Sequence, residues 1–454
     1  MRDILVLFAL LATLPMVFRR PFVGVLLWAW VSFLSPEDYL YGFMQAVPLT
    51  KLVSGVTILC VLLSREKKNL YLDKVSIMAG LFAIVGLASS IFSETLYINS
   101  WEICERLLKV LVFCFLIQRL VRSQLRVHAV LIAICLGWGF HGAVEGLKVI
   151  VDGGNHHVEG LTSFGDNNSF ALGIVMVIPI LMYLAKYSVL RPVKITYMAV
   201  AVLCAFSVIG TFSRGGFIGL VIIAIGMVMG SQRRIRNACC MAVVGIVLLS
   251  IAPASWYSRV DTIETANEDS SFMGRVIAWK ISTLIALDNP LLGAGFHGVQ
   301  DAAVWNKYRT QFYTLSFIPT DQPGDLARAA HSIYFEVLGD LGFTGFVLFL
   351  SILLISLANA NRVRRLTRLH PHLEWAGSLA SALRMSLIAY MISGAALSMA
   401  YFELFYVLMA VISLLRHMVE QEVAPAGLRK TVPQYAPRQQ PLVGAPAPAR
   451  TRIS

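Results

Sequence analysis

Ser169-Phe170-Ala171-Leu172-Gly173-Ile174-Val175-Met176-Val177-Ile178-Pro179-Ile180-Leu181-Met182-Tyr183-Leu184-Ala185 carries no charge before Lys186. As an α-helix at 1.5 Å per residue it spans about 26 Å, close to the roughly 30 Å of hydrocarbon in a bilayer. Working outward, runs of the same kind recur at roughly 3–18, 21–36, 49–64, 74–92, 104–121, 126–148, 195–212, 215–230, 237–253, 332–358, 380–398 and 401–416. The short alternating segments of an outer-membrane barrel are absent, so the sequence predicts an all-α polytopic membrane protein.

Composition agrees. The 454 residues are 57% hydrophobic and 14% charged, whereas soluble chains carry about 25% charged residues. The seven cysteines lie in or beside apolar runs without a Cys-x-x-Cys pair, and read as buried apolar side chains, with no disulfide framework or zinc site. The start, Met1-Arg2-Asp3 followed by apolar residues to Phe18, lacks a small-x-small cleavage signal before Arg19-Arg20 and reads as a retained first helix. The formal net charge of +12 would point to nucleic acid in a soluble chain; here the basic residues cluster between helices and report topology, with no nucleic-acid partner expected.

Those clusters are Arg19-Arg20, Arg65 to Lys68, Arg119 to Arg126, Lys186 to Lys194, Arg233 to Arg236 and Arg362 to Arg368. The positive-inside rule makes them cytoplasmic. Alternate loops hold Glu37, Asp38, Glu94, Asp152, Glu159 and Asp166, and residues 253–330 carry eight acidic against six basic residues, which makes this side the outer one. With the C-terminus inside, thirteen runs would leave the N-terminus outside; about twelve true spans, with one partial or re-entrant run, are expected. The chain divides into N-terminal membrane helices (1–252), an outer loop (253–331), C-terminal membrane helices (332–418) and a Pro-, Ala- and Arg-rich tail (419–454) expected to be disordered.

The stretch Pro253 to Arg328 is the one long polar interruption, and chemistry is expected around it. Gly274-Arg275-Val276-Ile277-Ala278-Trp279 places Arg275 and Trp279 on one helix face, with Ile277, Ile281, Leu284 and Ile285 as an apolar surface for the outer leaflet. Upstream, Ser213-Arg214-Gly215-Gly216 ends a run: the glycines permit a tight turn and close approach of a ligand, and the guanidinium suits phosphate. A plain turn whose arginine snorkels to lipid headgroups is the alternative. His331 opens a helix near arginines, where the positive helix end and neighbouring charge favour a neutral imidazole able to act as a general base; an ordinary helix-end histidine is again the alternative.

Glu336 and Asp340 share a face of the following helix, where carboxylates are costly unless paired, and basic groups on neighbouring helices are the expected partners. Glu336 lies about 140° around the helix from His331, which argues against a direct dyad. Asp166-Asn167-Asn168-Ser169 reads as a helix cap that can also line a headgroup pocket. His156-His157 point apart and find no third metal ligand. Asp-x-Asp pairs, P-loops and Rossmann glycine patterns are missing, so neutralising a diphosphate would fall to arginine.

Thr211-Phe212-Ser213-Arg214-Gly215-Gly216, Gly274 to Trp279, Pro290-Leu291-Leu292-Gly293-Ala294-Gly295, and Ala330-His331-Ser332-Ile333-Tyr334 running into Gly339-Asp340-Leu341-Gly342 together resemble the O-antigen ligase and O-antigen polymerase superfamily. The likeness covers about residues 1–418. Arg19-Arg20-Pro21-Phe22-Val23-Gly24-Val25-Leu26-Leu27-Trp28 is similar to the exosortase-associated putative O-glycosylation ligases. The resemblance implies a GT-C-related fold and a metal-independent, inverting glycosyltransferase of the bacterial inner membrane without cofactors. Such an enzyme takes a glycan from undecaprenyl diphosphate to lipid A-core on the periplasmic face. It further implies Arg214 and Arg275 at the diphosphate and His331 as catalytic residue, with Asp166, Asn168, Trp279, Arg328 and Tyr334 as candidate substrate contacts. A polymerase or a protein O-glycosylation ligase would use the same donor. A transporter or flippase is the alternative of another class, but it would place ionisable groups near the midplane rather than at one face.

Overall fold

A computed structural model of the chain describes residues 2–64, 71–93, 95, 97–160, 165–230, 234–251, 270–315, 320 and 323–424, and no strand occurs among them. Residues 252–269 of the polar interruption, the Arg65 to Lys68 cluster, Glu94, Arg233 and the tail from 425 onward lie outside the described residues.

Each apolar run forms a helix. The first ten are α1 (Arg2–Arg19), α2 (Pro21–Leu34), α3 (Leu49–Leu63), α4 (Lys74–Ile91), α5 (Tyr97–Leu120), α6 (Gln124–Val151), α7 (Asn167–Tyr187), α8 (Arg191–Gly210), α9 (Arg214–Met229) and α10 (Arg234–Ile251). The polar interruption contributes α11 (Ser270–Asp288) and α12 (Ala302–Arg309), followed by α13 (Ile333–Thr367), α14 (Glu374–Ser393) and α15 (Glu403–Val423). α15 thus continues past residue 418, held by ion pairs of Glu420 with Arg362 and Arg416. Six described stretches are long and apolar enough to cross a membrane, and α2, α3 and α9 are apolar but shorter.

Polar contacts sort the helix ends. At one end, Lys186 pairs with Glu374 at 2.9 Å, His128 meets Tyr183 at 2.7 Å, and Arg416 donates to Asn359 at 2.7 Å. The described basic clusters all fall there. At the other, Tyr39 and His141 share a 2.6 Å hydrogen bond, Asn167 Nδ2 donates to the Thr211 carbonyl at 2.7 Å, and Ser393 Oγ donates to the Gly215 carbonyl at 2.8 Å. The start of α1 belongs to this second end, because Asp3 Oδ1 accepts from Gly42 N and Met44 N at 3.2 Å. The start of α1 and the end of α15 therefore lie at opposite ends of the bundle, which requires an odd number of passes and departs from the expected twelve.

The decisive segment, α7, lies at the centre: 89% of its apolar window is buried, against 33% for α4. Protein rather than lipid covers it, on the faces contributed by α6, α8, α9 and α14.

α13 is two helices. Gly342 breaks it with φ 65° and ψ −168°, and the carbonyls freed near the break are taken up by Pro290 to Gly295. Ala294 N donates to Gly339 O and Gly295 N to Asp340 O, both at 3.0 Å, while Phe343 N donates to Pro290 O at 2.8 Å. Irregular backbone at such a depth persists where protein satisfies it. A second, smaller core gathers Ile277, Ile281, Ile285, Val304, Trp305, Tyr308 and Phe312. The apolar face of α11 is buried in that core and against α13; the expected surface helix on a lipid leaflet is corrected accordingly.

Candidate functional site

Arg214, Arg275 and His331 occupy the end of the bundle opposite the basic clusters. Ser213 caps α9, its Oγ accepting from Gly216 N at 3.1 Å, so Arg214 is the first residue of that helix, where the helix dipole favours anions. The glycines beside it do a different job from the expected turn. Phe212 takes the left-handed conformation, with φ 55°, while Gly216 lets α9 close on α7; a Cβ there would stand 2.6 Å from that of Ala171. His157 stacks on Phe212 with centroids 5.1 Å apart, and His156 turns away to Glu145 at 2.7 Å.

Arg275 and His331 are half-buried. Burial lowers the pKa of His331, Arg275 lowers it further, and Asp166 opposes both. The net effect favours the neutral imidazole. Asp166 caps α7, accepting from Ser169 N at 2.9 Å. Partial desolvation raises its pKa, but hydrogen bonds from Ser169 and Asn168 and the charge of His331 outweigh this and hold it low. Asn168 Nδ2 donates to Asp166 Oδ2 at 3.1 Å.

Arg328 is exposed and its guanidinium crosses the backbone of α11 at Gly274, in space that any Cβ would occupy. That notch seats it against α11 at the residue before Arg275. Two other candidates have their polar atoms bonded within the protein: Trp279 Nε1 donates to the Ala330 carbonyl at 2.7 Å and Tyr334 OH to the Met391 carbonyl at 2.9 Å.

The carboxylates of α13 find different partners from the expected basic helices. Asp340 accepts from Gly298 N at 3.1 Å and from Tyr401 OH at 3.0 Å. Glu336 accepts from Ala400 N at 2.8 Å, with His297 Nε2 at 3.9 Å. Backbone amides and a tyrosine replace cations because the loop 290–298 and the α14–α15 connection, rather than charged helix faces, cover them. Among the described residues no group of three or more His, Cys, Asp or Glu side chains gathers for a metal ion.

Sequence reasoning placed Asn167 only in the α7 cap and missed its tie to the turn before Arg214; it also missed Ser393, the last residue of α14, and Ser398, on the α14–α15 connection. Ser398 Oγ accepts from His331 N at 2.8 Å. Single serines near a helix end carry no pattern that would have marked them.

Residues 199–350, which include Arg214, Arg275, Arg328 and His331, match the family model described as O-antigen ligase. Over this third of its length the chain is similar to O-antigen ligases. Residues 1–189 match a model described only as a family of unknown function, and no curated protein matches the chain. With six described helices long and apolar enough to cross a bilayer, the chain is a multi-pass membrane protein.

Proposed function

We propose that the protein is an O-antigen ligase of the bacterial inner membrane. It transfers a glycan from undecaprenyl diphosphate to lipid A-core oligosaccharide at the periplasmic face, by inversion and without a metal. The observation that carries this reading is the shared field of Arg275 and Asp166 on a neutral His331, at the bundle end away from the basic clusters. Positive-inside topology makes the basic end cytoplasmic.

In this reading Arg214 and Arg275 hold the diphosphate, aided by Arg328 and by the helix start at Arg214. An acceptor hydroxyl attacks the anomeric carbon while the bond to the diphosphate oxygen breaks, and its proton passes to the imidazole of His331. The guanidinium groups stabilise the negative charge that develops on the leaving diphosphate. Attack from the side opposite the leaving group inverts the anomeric centre.

The test is transfer by purified protein in detergent, with defined undecaprenyl-diphosphate glycan and lipid A-core. Product on the core, lost in His331→Ala and sharply reduced in Arg214→Ala and Arg275→Ala, is the expected result. Ladders on undecaprenyl would make the protein a polymerase, and transfer to a protein acceptor an O-glycosylation ligase. Substrate movement without transfer would favour a transporter.

A further inference from the structure

We infer that Trp279 and Ser398 are positioning residues for His331, which rests on the assignment of His331 as the base. His331 has φ 44°, a left-handed conformation that is unfavourable for an L-residue. Such backbone persists where its surroundings determine it. Here a single peptide group, the one joining Ala330 to His331, is gripped at both ends. Trp279 Nε1 donates to its carbonyl at 2.7 Å, and Ser398 Oγ accepts from its N–H at 2.8 Å. With the start of α13 holding the far side of His331 through the Glu336 N to Ser332 O bond, holding that plane sets the rotation about the N–Cα bond of His331, and with it the direction in which the imidazole leaves the chain.

One clamp comes from the helix that carries Arg275, and the other from a connection hydrogen-bonded to the helix that carries Arg214. Trp279 lies one helical turn beyond Arg275, and its ring is itself held, stacked on Phe335 at 5.0 Å and 8° and set edge-on to Phe272 at 6.2 Å. Ser398 follows Ser393, whose hydroxyl binds the Gly215 carbonyl next to Arg214. A shift of either arginine-bearing helix is thereby transmitted to the histidine. Neither clamp has to touch substrate: the indole N–H and the serine oxygen both bond to backbone.

The experiment uses the full chain in detergent with undecaprenyl-diphosphate glycan donor and lipid A-core, comparing Ser398→Ala, Ser398→Thr, Trp279→Phe and His331→Ala. Misplacing a catalytic group by about 1 Å can cost on the order of a hundredfold in rate. Ser398→Ala and Trp279→Phe are therefore expected to lower kcat roughly ten- to a hundredfold while donor KM stays within twofold. Ser398→Thr, which keeps the oxygen, restores the rate. Added to His331→Ala, neither change lowers the residual rate further. Wild-type kcat in both single variants overturns the inference, as does an undiminished loss in the His331→Ala background. Should Ser398→Ala fail to fold, Trp279→Phe, which keeps the stack, decides in the same way. Full activity of His331→Ala is a separate outcome: it removes the base assignment itself, and this inference with it.

Discussion

Asp166 and His331 act on each other across the starts of α7 and α13: the carboxylate raises the pKa of the imidazole, and the imidazole's charge lowers that of the carboxylate. Burial and Arg275 nevertheless leave His331 below the ordinary histidine value of about 6.5. A base is active when unprotonated, so kcat/KM should be flat around pH 7 and fall only as pH drops through this lowered pKa. Asp166→Asn preserves the cap, since asparagine caps helices as well as aspartate does, but removes the charge that favoured protonation. The acid limb should therefore move to lower pH. A limb that stays put, or moves up, would contradict the pairing. The same depressed pKa makes His331 contribute stability above about pH 6.5 that is lost as pH falls toward its folded value.

Arg328 lies across α11 at Gly274, the residue before Arg275, only because Gly274 has no side chain. Gly274→Ala should displace the guanidinium and raise donor KM by about as much as Arg328→Ala, on the order of tenfold if one charge-assisted contact is lost. The double variant should be no worse than either single one, because both remove the same contact. Additive losses in KM would show that Gly274 serves something else.

The pairing of Pro290 to Gly295 with Gly339 to Gly342 explains two motifs at once. Gly293 and Gly342 both have φ 65°, and a Cβ would stand 2.5 Å from the Asp340 backbone at the first and 2.6 Å from the Pro290 carbonyl at the second. Gly293→Ala or Gly342→Ala should each cost about 2 kcal/mol or more, conformational strain and backbone overlap combined. Thermal unfolding in detergent would read this as a clear fall in Tm. An unchanged Tm would mean the loop does not dock on the broken helix.

What the sequence disclosed follows from periodicity. A helix such as α7 declares itself because hydrocarbon demands uninterrupted apolar residues, and Asp166 declares its cap because the cap is local in the chain. Arg275 and His331 could be singled out by charge type beside a long polar loop. Contacts between distant segments left no such trace. The partners of Asp340 come from Gly298 and Tyr401, and the glycines after Arg214 serve helix packing rather than a turn; neither follows from any period. The apolar face of α11 has the same pattern whether it meets lipid or the side chains of α12 and α13, so sequence chose the wrong neighbour.

The orientation of the bundle gives a further expectation. A cysteine introduced at Glu159, near the Arg214 turn through the Val158 to Gly210 hydrogen bond of 2.8 Å, should react with an impermeant thiol reagent from the periplasm. One at Leu190, between α7 and α8 at the basic end, should react only after the inner membrane is opened. A Cys239→Ser background removes the one thiol exposed among the described residues. The reverse pattern would invert the topology and move the proposed site to the cytoplasm.

Asp340 and Tyr401 are both buried, and the carboxylate is the shared acceptor for Tyr401 OH and Gly298 N. Asp340→Ala would leave two buried donors without an acceptor, at about 1–3 kcal/mol each. Tyr401→Phe removes one donor and leaves the Gly298 bond intact, so it should cost less. Asp340→Asn should fall between them, because its oxygen can still accept from Gly298 N while its amide nitrogen donates to a tyrosine hydroxyl turned the other way. In the double variant Asp340→Ala, Tyr401→Phe, only Gly298 N is stranded, and the loss should be smaller than the sum of the two single losses. Unfolding in detergent across the four variants gives this order directly. Equal losses for Asp340→Ala and Tyr401→Phe would mean that the loop amide finds another acceptor, and that Asp340 does not anchor residues 297–298 to α13.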